Sequence, residues 1–125
     1  MKLKIMGIEC PFCYTVSAQK EISDTFGGIE KIKDAFSGTA EEVRDNALYM
    51  AAAMMRGGEQ RQRLRCKMYG ETYDGPSALT AKELEDVVVT AADMSELMNA
   101  VLQAMKAGNE VSVELMPSKK EKATG

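Results

Sequence analysis

Cys10-Pro11-Phe12-Cys13 is the one stretch of this chain whose residue types and spacing could do chemistry. Two thiols separated by two residues can close a disulfide, and a helix opening just after the first would lower its pKa toward the nucleophilic thiolate. No partner for such a nucleophile stands out elsewhere. The chain has no histidine, which removes the commonest general base and the commonest metal ligand, so Ser-His, Cys-His and histidine-containing zinc or iron sites are excluded within one chain. Adding Cys66 makes three sulfur ligands, and a structural zinc site would then need a carboxylate, a water or a second chain as its fourth.

The elements that must position the thiols begin with a small hairpin. Residues 2–14 read as strand, a turn at Gly7 and a second strand, with Leu3 and Ile5 on one face and Lys2 and Lys4 on the other. Pro11 cannot donate to a ladder, so the second strand is an edge or breaks there. Val16 to Phe26 follows as a helix stopped by Gly27-Gly28. Glutaredoxin-like domains carry Cys-Pro-aromatic-Cys between a strand and a helix, but they need a βαβ half, an antiparallel strand pair and a cis-proline facing the thiols. Here helix follows helix, and Pro76 and Pro117, after Gly75 and Met116, open no central strand. Cys10 and Cys13 are therefore expected to be non-catalytic, packed at a hairpin edge and on the approach to a helix.

The rest of the pattern is helical. A short helix spans Ile29 to Phe36, closed by Ser37-Gly38. Thr39-Ala40-Glu41-Glu42 is a capping box, and the helix it opens is expected to run to about Arg56, with Val43, Ala47, Met50 and Met54 on one stripe and Leu48, Ala51, Ala52 and Met55 widening it. It should be the central helix of the core. Gly57-Gly58 reads as a break, followed by a polar helix to about Tyr69 in which Leu64 and Met68 form the only obvious buried pair. After a loop with Asp74-Gly75-Pro76 as its turn, Thr80 to Glu83 is a second capping box, with Leu79 placed to staple onto Leu84. Val87-Val88-Val89 should close that helix against the core. Met94, Leu97, Met98, Val101, Leu102 and Met105 then recur at spacings of three and four. Gly108-Asn109 stops this last helix, and Val111, Val113 and Leu115 alternate as a short strand. The expected fold is mainly α (α+β): an N-terminal β-hairpin followed by a bundle of five or six short helices, one domain over residues 1–116, with a disordered polar tail over 117–125.

Composition sets the broad class. At 125 residues with 45% hydrophobic content the chain can form a real core, and it contains no run of about 18 or more uncharged apolar residues to span a bilayer. Its opening, Met1-Lys2-Leu3-Lys4-Ile5, lacks the apolar stretch of a secretory signal, and three cysteines without such a signal fit reduced thiols, so a cytoplasmic protein is expected. A net charge of −3 provides no global basic field for nucleic acid.

Two further features could form surfaces. Arg56, Arg61, Arg63, Arg65 and Lys67 are the one basic cluster, which a phosphate-binding or groove-reading helix would want; Glu59, Gln60 and Gln62 dilute it, and a solvated face is the simpler reading. Glu41, Glu42 and Glu83 fall in first helical turns, where they complement the macrodipole. Ten methionines are many for this length, and most lie on apolar stripes and default to core. Thioether surfaces also suit adaptable binding, and Met50, Met54, Met94, Met98 and Met105 are the candidate partner-binding residues.

The order of elements resembles, over nearly the whole chain, the tail assembly chaperones of long-tailed bacteriophages and prophages. The resemblance is carried by the hairpin opening, the Phe26-Gly27-Gly28 helix end, the capped apolar helix, the polar helix, Leu79-Thr80-Ala81-Lys82-Glu83-Leu84 and the run Leu97-Met98-Asn99-Ala100-Val101-Leu102-Gln103-Ala104-Met105. Cys10 and Cys13 are no part of that family's pattern. The resemblance implies a non-enzymatic helical protein without cofactors, absent from the mature virion, that binds the phage tape-measure protein during tail morphogenesis and helps recruit tail-tube protein. It implies neither nucleic-acid nor membrane binding and leaves room for homo-oligomers. Many members are made in two lengths by a −1 ribosomal slip, and Ser118-Lys119-Lys120 can be encoded on a slippery run, so a longer form reaching the tail tube is expected.

Overall fold

The computed structural model describes residues 2–108, so the strand expected over Val111 to Leu115 and the polar tail lie outside the described residues. Strand β1 (Lys2–Ile5) pairs antiparallel with β2 (Ile8–Pro11), placing Ile5 opposite Ile8 and Lys2 opposite Pro11. The two-residue turn has φ of 50° at Met6 and 82° at Gly7, the pair of positive values that a type I′ hairpin requires and that matches the twist of its strands. A loop of this length makes Ile5–Ile8 a hydrogen-bonded pair and, by alternation, Lys2–Pro11 a non-hydrogen-bonded one. Pro11 therefore sits where its missing N–H costs no ladder bond. Leu3, Ile5, Cys10 and Phe12 face the core while Lys2 and Lys4 face water, as the alternation requires.

Helix α1 (Val16–Phe26) is capped by Thr15, whose hydroxyl accepts from the Ala18 amide at 3.2 Å, and it ends on Gly27 at φ 88°. Ile29–Phe36 forms a 3-10 helix that turns Ile32 and Ala35 inward. Thr39 and Glu42 then exchange both bonds of the capping box, at 3.1 and 2.9 Å, and open α2.

Helix α2 is the main departure from the sequence reading. It runs unbroken from Ala40–Tyr69, 30 residues or about 45 Å, through the glycine pair expected to end it. Gly57 and Gly58 are buried where α2 crosses the end of the hairpin. A Cβ on Gly58 would lie 2.4 Å from the Pro11 carbonyl carbon, and one on Gly57 would lie 2.7 Å from the Cys13 carbonyl oxygen. Glycine costs a helix interior about 1 kcal/mol relative to alanine, and here it is needed for backbone to meet backbone. The Cys13 amide donates to the Met54 carbonyl at 3.0 Å across the same contact.

The C-terminus of α2 closes with Gly70 at φ 70°, its amide donating to the Lys67 carbonyl while Glu71 donates to Cys66, which is a Schellman motif. The following loop folds back along α2. Tyr73 lies under the Arg63 guanidinium, 4.7 Å from the ring centroid, and the Ala78 amide donates to Glu59 Oε1 at 2.7 Å. Thr80 and Glu83 cap α3 (Ala81–Glu85), which buries Leu84 completely; Thr90 and Asp93 cap α4 (Ala91–Gly108). Val87 and Val88 are half-buried against the core, while Val89 points to solvent. α2 packs against α1, the 3-10 helix, β2, α3 and α4, and its residues Met50, Met54 and Met55 meet Phe12, Ile22, Leu84 and Val101 in one core. Mainly helical architecture after an N-terminal hairpin is thus observed, with one long helix in place of two short ones.

Candidate functional site

The thiol segment places neither of its cysteines at the N-cap of a helix. Cys10 lies in β2 with its side chain turned into the core, its Sγ donating to the Ile8 carbonyl at 3.6 Å, and burial pushes its thiol up from the ordinary value of 9.0. Cys13 is half-buried in the turn before α1, and the residue that caps that helix is Thr15. Cys10, Cys13 and Cys66 are all free. Among the described residues no three histidine, cysteine, aspartate or glutamate side chains are grouped so as to hold a metal ion.

The methionines do not assemble into the expected surface. Met50 and Met54 are 0% exposed, because the stripe they occupy is the face on which α1, α3 and α4 close. They are core residues and cannot present a binding face. Met94, Met98 and Met105 are half-buried on α4, with Met94 and Met105 packed against the same core.

What the fold does leave uncovered is the far end of α2. From Glu59 onward, for about three turns, no residue of the helix is fully buried. Leu64 is 57% and Met68 86% exposed, and Tyr69 is exposed beside them, so the pair expected to be buried is the apolar face of this projecting segment. Its neighbours along the helix are Arg61, Arg63, Arg65 and Lys67, all exposed, whereas Arg56 of the same basic cluster is half-buried and paired with Glu21. The segment carries four cations and one carboxylate, in a chain whose net charge is −3.

A cleft of about 400 Å³ between α1 and α2 leads onto this face, with Thr15, Ser17 and Ala18 on one wall and Gly57, Gln60 and Leu64 on the other. Its width is held by Arg56, which pairs with Glu21 of α1. Tyr49 donates to the same carboxylate at 3.2 Å and shares a 2.6 Å hydrogen bond with Thr25. At the root of the projecting segment Glu59 is held by the Ala78 amide and by Arg63 Nε at 2.6 Å. The Ala78 amide bond first, then Arg63, lowers its pKa below the ordinary value.

The signal for this site is present in the sequence as an apolar i, i+4 pair bordered by cations. Reading Gly57-Gly58 as a break hid it, because a short separate helix would have to bury Leu64 and Met68 to be stable, whereas the end of a long anchored helix need not. No family model, curated protein or solved structure matches the chain.

Proposed function

We propose that this chain is a non-enzymatic phage tail assembly chaperone that binds helical segments of a tape-measure protein during tail morphogenesis and helps bring tail-tube subunits to it. One observation carries the reading: the projecting end of α2 keeps Leu64 and Met68 in solvent on a rigid helix, opening from a cleft, where a monomeric fold would gain by covering them. A tape measure is a long helix-rich chain with apolar faces that associate unless held, and a helix laid along an apolar groove is the recognition mode that suits it. Met68 adds an adaptable thioether, suited to clients of varied sequence. The element order stated above supplies the family context, and the buried, unactivated Cys10 argues against the thiol-exchange alternative.

Co-expression tests the proposal. With the wild-type chain the tape-measure protein of the same phage should accumulate in the soluble fraction; with Leu64→Asp/Met68→Asp it should sediment, as it should when expressed alone. A tape measure that aggregates equally with and without the wild-type chain contradicts the proposal.

A further inference from the structure

We infer that the exposed end of α2 docks an amphipathic α-helix whose apolar stripe is bordered on both sides by aspartate or glutamate. The inference deepens the tail-assembly reading and rests on it for the identity of the client, though the chemistry of the face is argued from the face itself.

The geometry of α2 gives the pattern. At about 100° per residue, Met68 lies about 40° around the helix from Leu64, and Gly57 falls between the two directions, so the apolar strip runs straight into the cleft beside α1. From Gly57 to Met68 the strip is about 16 Å long, enough for roughly three turns of a partner helix. Arg61 and Arg65 border it on one side, Lys67 and Arg63 on the other.

Arg63 is ion-paired within the segment, and the border charge that Glu59 leaves over is carried by Arg65 and Lys67, one on each side. Glu59 is its only carboxylate, and that group is engaged with the Ala78 amide and Arg63, its side chain 16% exposed. No carboxylate occupies positions 61, 62, 68 or 69, the residues one helical turn from Arg65, whose guanidinium instead lies 5.8 Å from the Tyr69 ring centroid. A partner with an apolar stripe and acidic margins satisfies both parts of the face together. Nucleic acid would satisfy only the cations and leave Leu64 and Met68 wet, and a basic amphipathic helix would satisfy only the apolar strip against the repulsion of Arg65 and Lys67.

Fluorescence anisotropy with three labelled ligands tests this on the full chain. The first is a designed helix of roughly 18 residues with leucine at spacings of three and four and glutamate along both margins. The second carries lysine in place of every glutamate, and the third is a short DNA duplex. The acidic helix should bind, and its affinity should fall as salt rises from about 50 to about 500 mM. Leu64→Asp/Met68→Asp should weaken binding by about tenfold or more. Arg65→Gln/Lys67→Gln should weaken it and flatten the salt dependence. All four residues are exposed, so an unchanged far-ultraviolet dichroism spectrum certifies that each variant is folded.

Equal binding of the lysine helix, binding of the duplex in place of the acidic helix, or no binding of any of the three overturns the inference. The two readings fail separately. If the acidic helix binds while the tape measure stays insoluble in co-expression, the docking face stands and the tail-assembly reading falls. If the tape measure is kept soluble equally by the wild type and by Leu64→Asp/Met68→Asp, the tail-assembly reading stands and the docking face falls.

Discussion

Gly58 of α2 and Pro11 of β2 meet backbone to backbone, so closely that a methyl group on Gly58 would stand 2.4 Å from the Pro11 carbonyl carbon. This contact fixes the long helix across the end of the hairpin and so determines how far its free end projects. Phe12, the next residue, is completely buried beside it.

Substituting Gly58→Ala should therefore destabilise the fold, against the usual gain of about 1 kcal/mol for removing a glycine from a helix interior. Overpacking against main chain that cannot move aside should cost about 2–3 kcal/mol in urea unfolding. A more stable Gly58→Ala variant would show that α2 does not cross the hairpin at this point.

The two kinds of methionine on α2 should respond oppositely to truncation. Met54→Ala empties a fully buried site and should cost about 2–5 kcal/mol, whereas Met68→Ala removes an exposed side chain and should change stability by no more than about 0.5 kcal/mol. Equal losses at the two positions would contradict the division into core and surface.

Glu59 ties the loop after α2 to its root, and its depressed pKa sets a direction in pH. The folded carboxyl titrates below the ordinary value of 4.5, so its contribution to stability is present above that pH and is lost as pH falls through the folded value. Wild type should exceed Glu59→Gln by about 1 kcal/mol near neutrality, with the gap closing in acid. A gap that widens below pH 4.5 would reverse the assignment.

Cysteine labelling checks the thiol segment. Cys13 and Cys66, both half-buried, should react with an aromatic disulfide reagent in the native chain, while Cys10 should react only as the chain unfolds, because its sulfur is buried and its thiol pushed above 9.0. Rapid native-state modification of Cys10, or ready closure of a Cys10 to Cys13 disulfide, would restore the redox reading.

Much of this fold was legible in the chain because local signals agreed with tertiary packing. Thr39 with Glu42 and Thr80 with Glu83 form the capping boxes their spacing announces, and Leu3 and Ile5 alternate inward as a hairpin face should. Gly57-Gly58 misled because a glycine pair marks a helix end only when its cause is local; here the cause is the hairpin crossing the helix, which is remote in sequence. The same error displaced the candidate site. Periodicity shows that Met50, Met54, Leu64 and Met68 are apolar and share helical stripes, but which of them is covered depends on where the bundle ends along α2.

The account's central claim is that the projecting end of α2 holds a client helix, and titration calorimetry tests it most directly. A purified helical segment of the tape-measure protein, titrated into the full chain, should bind the wild type and bind Leu64→Asp/Met68→Asp about tenfold more weakly or not at all. Equal affinity for the two proteins, or no binding to the wild type, would contradict it.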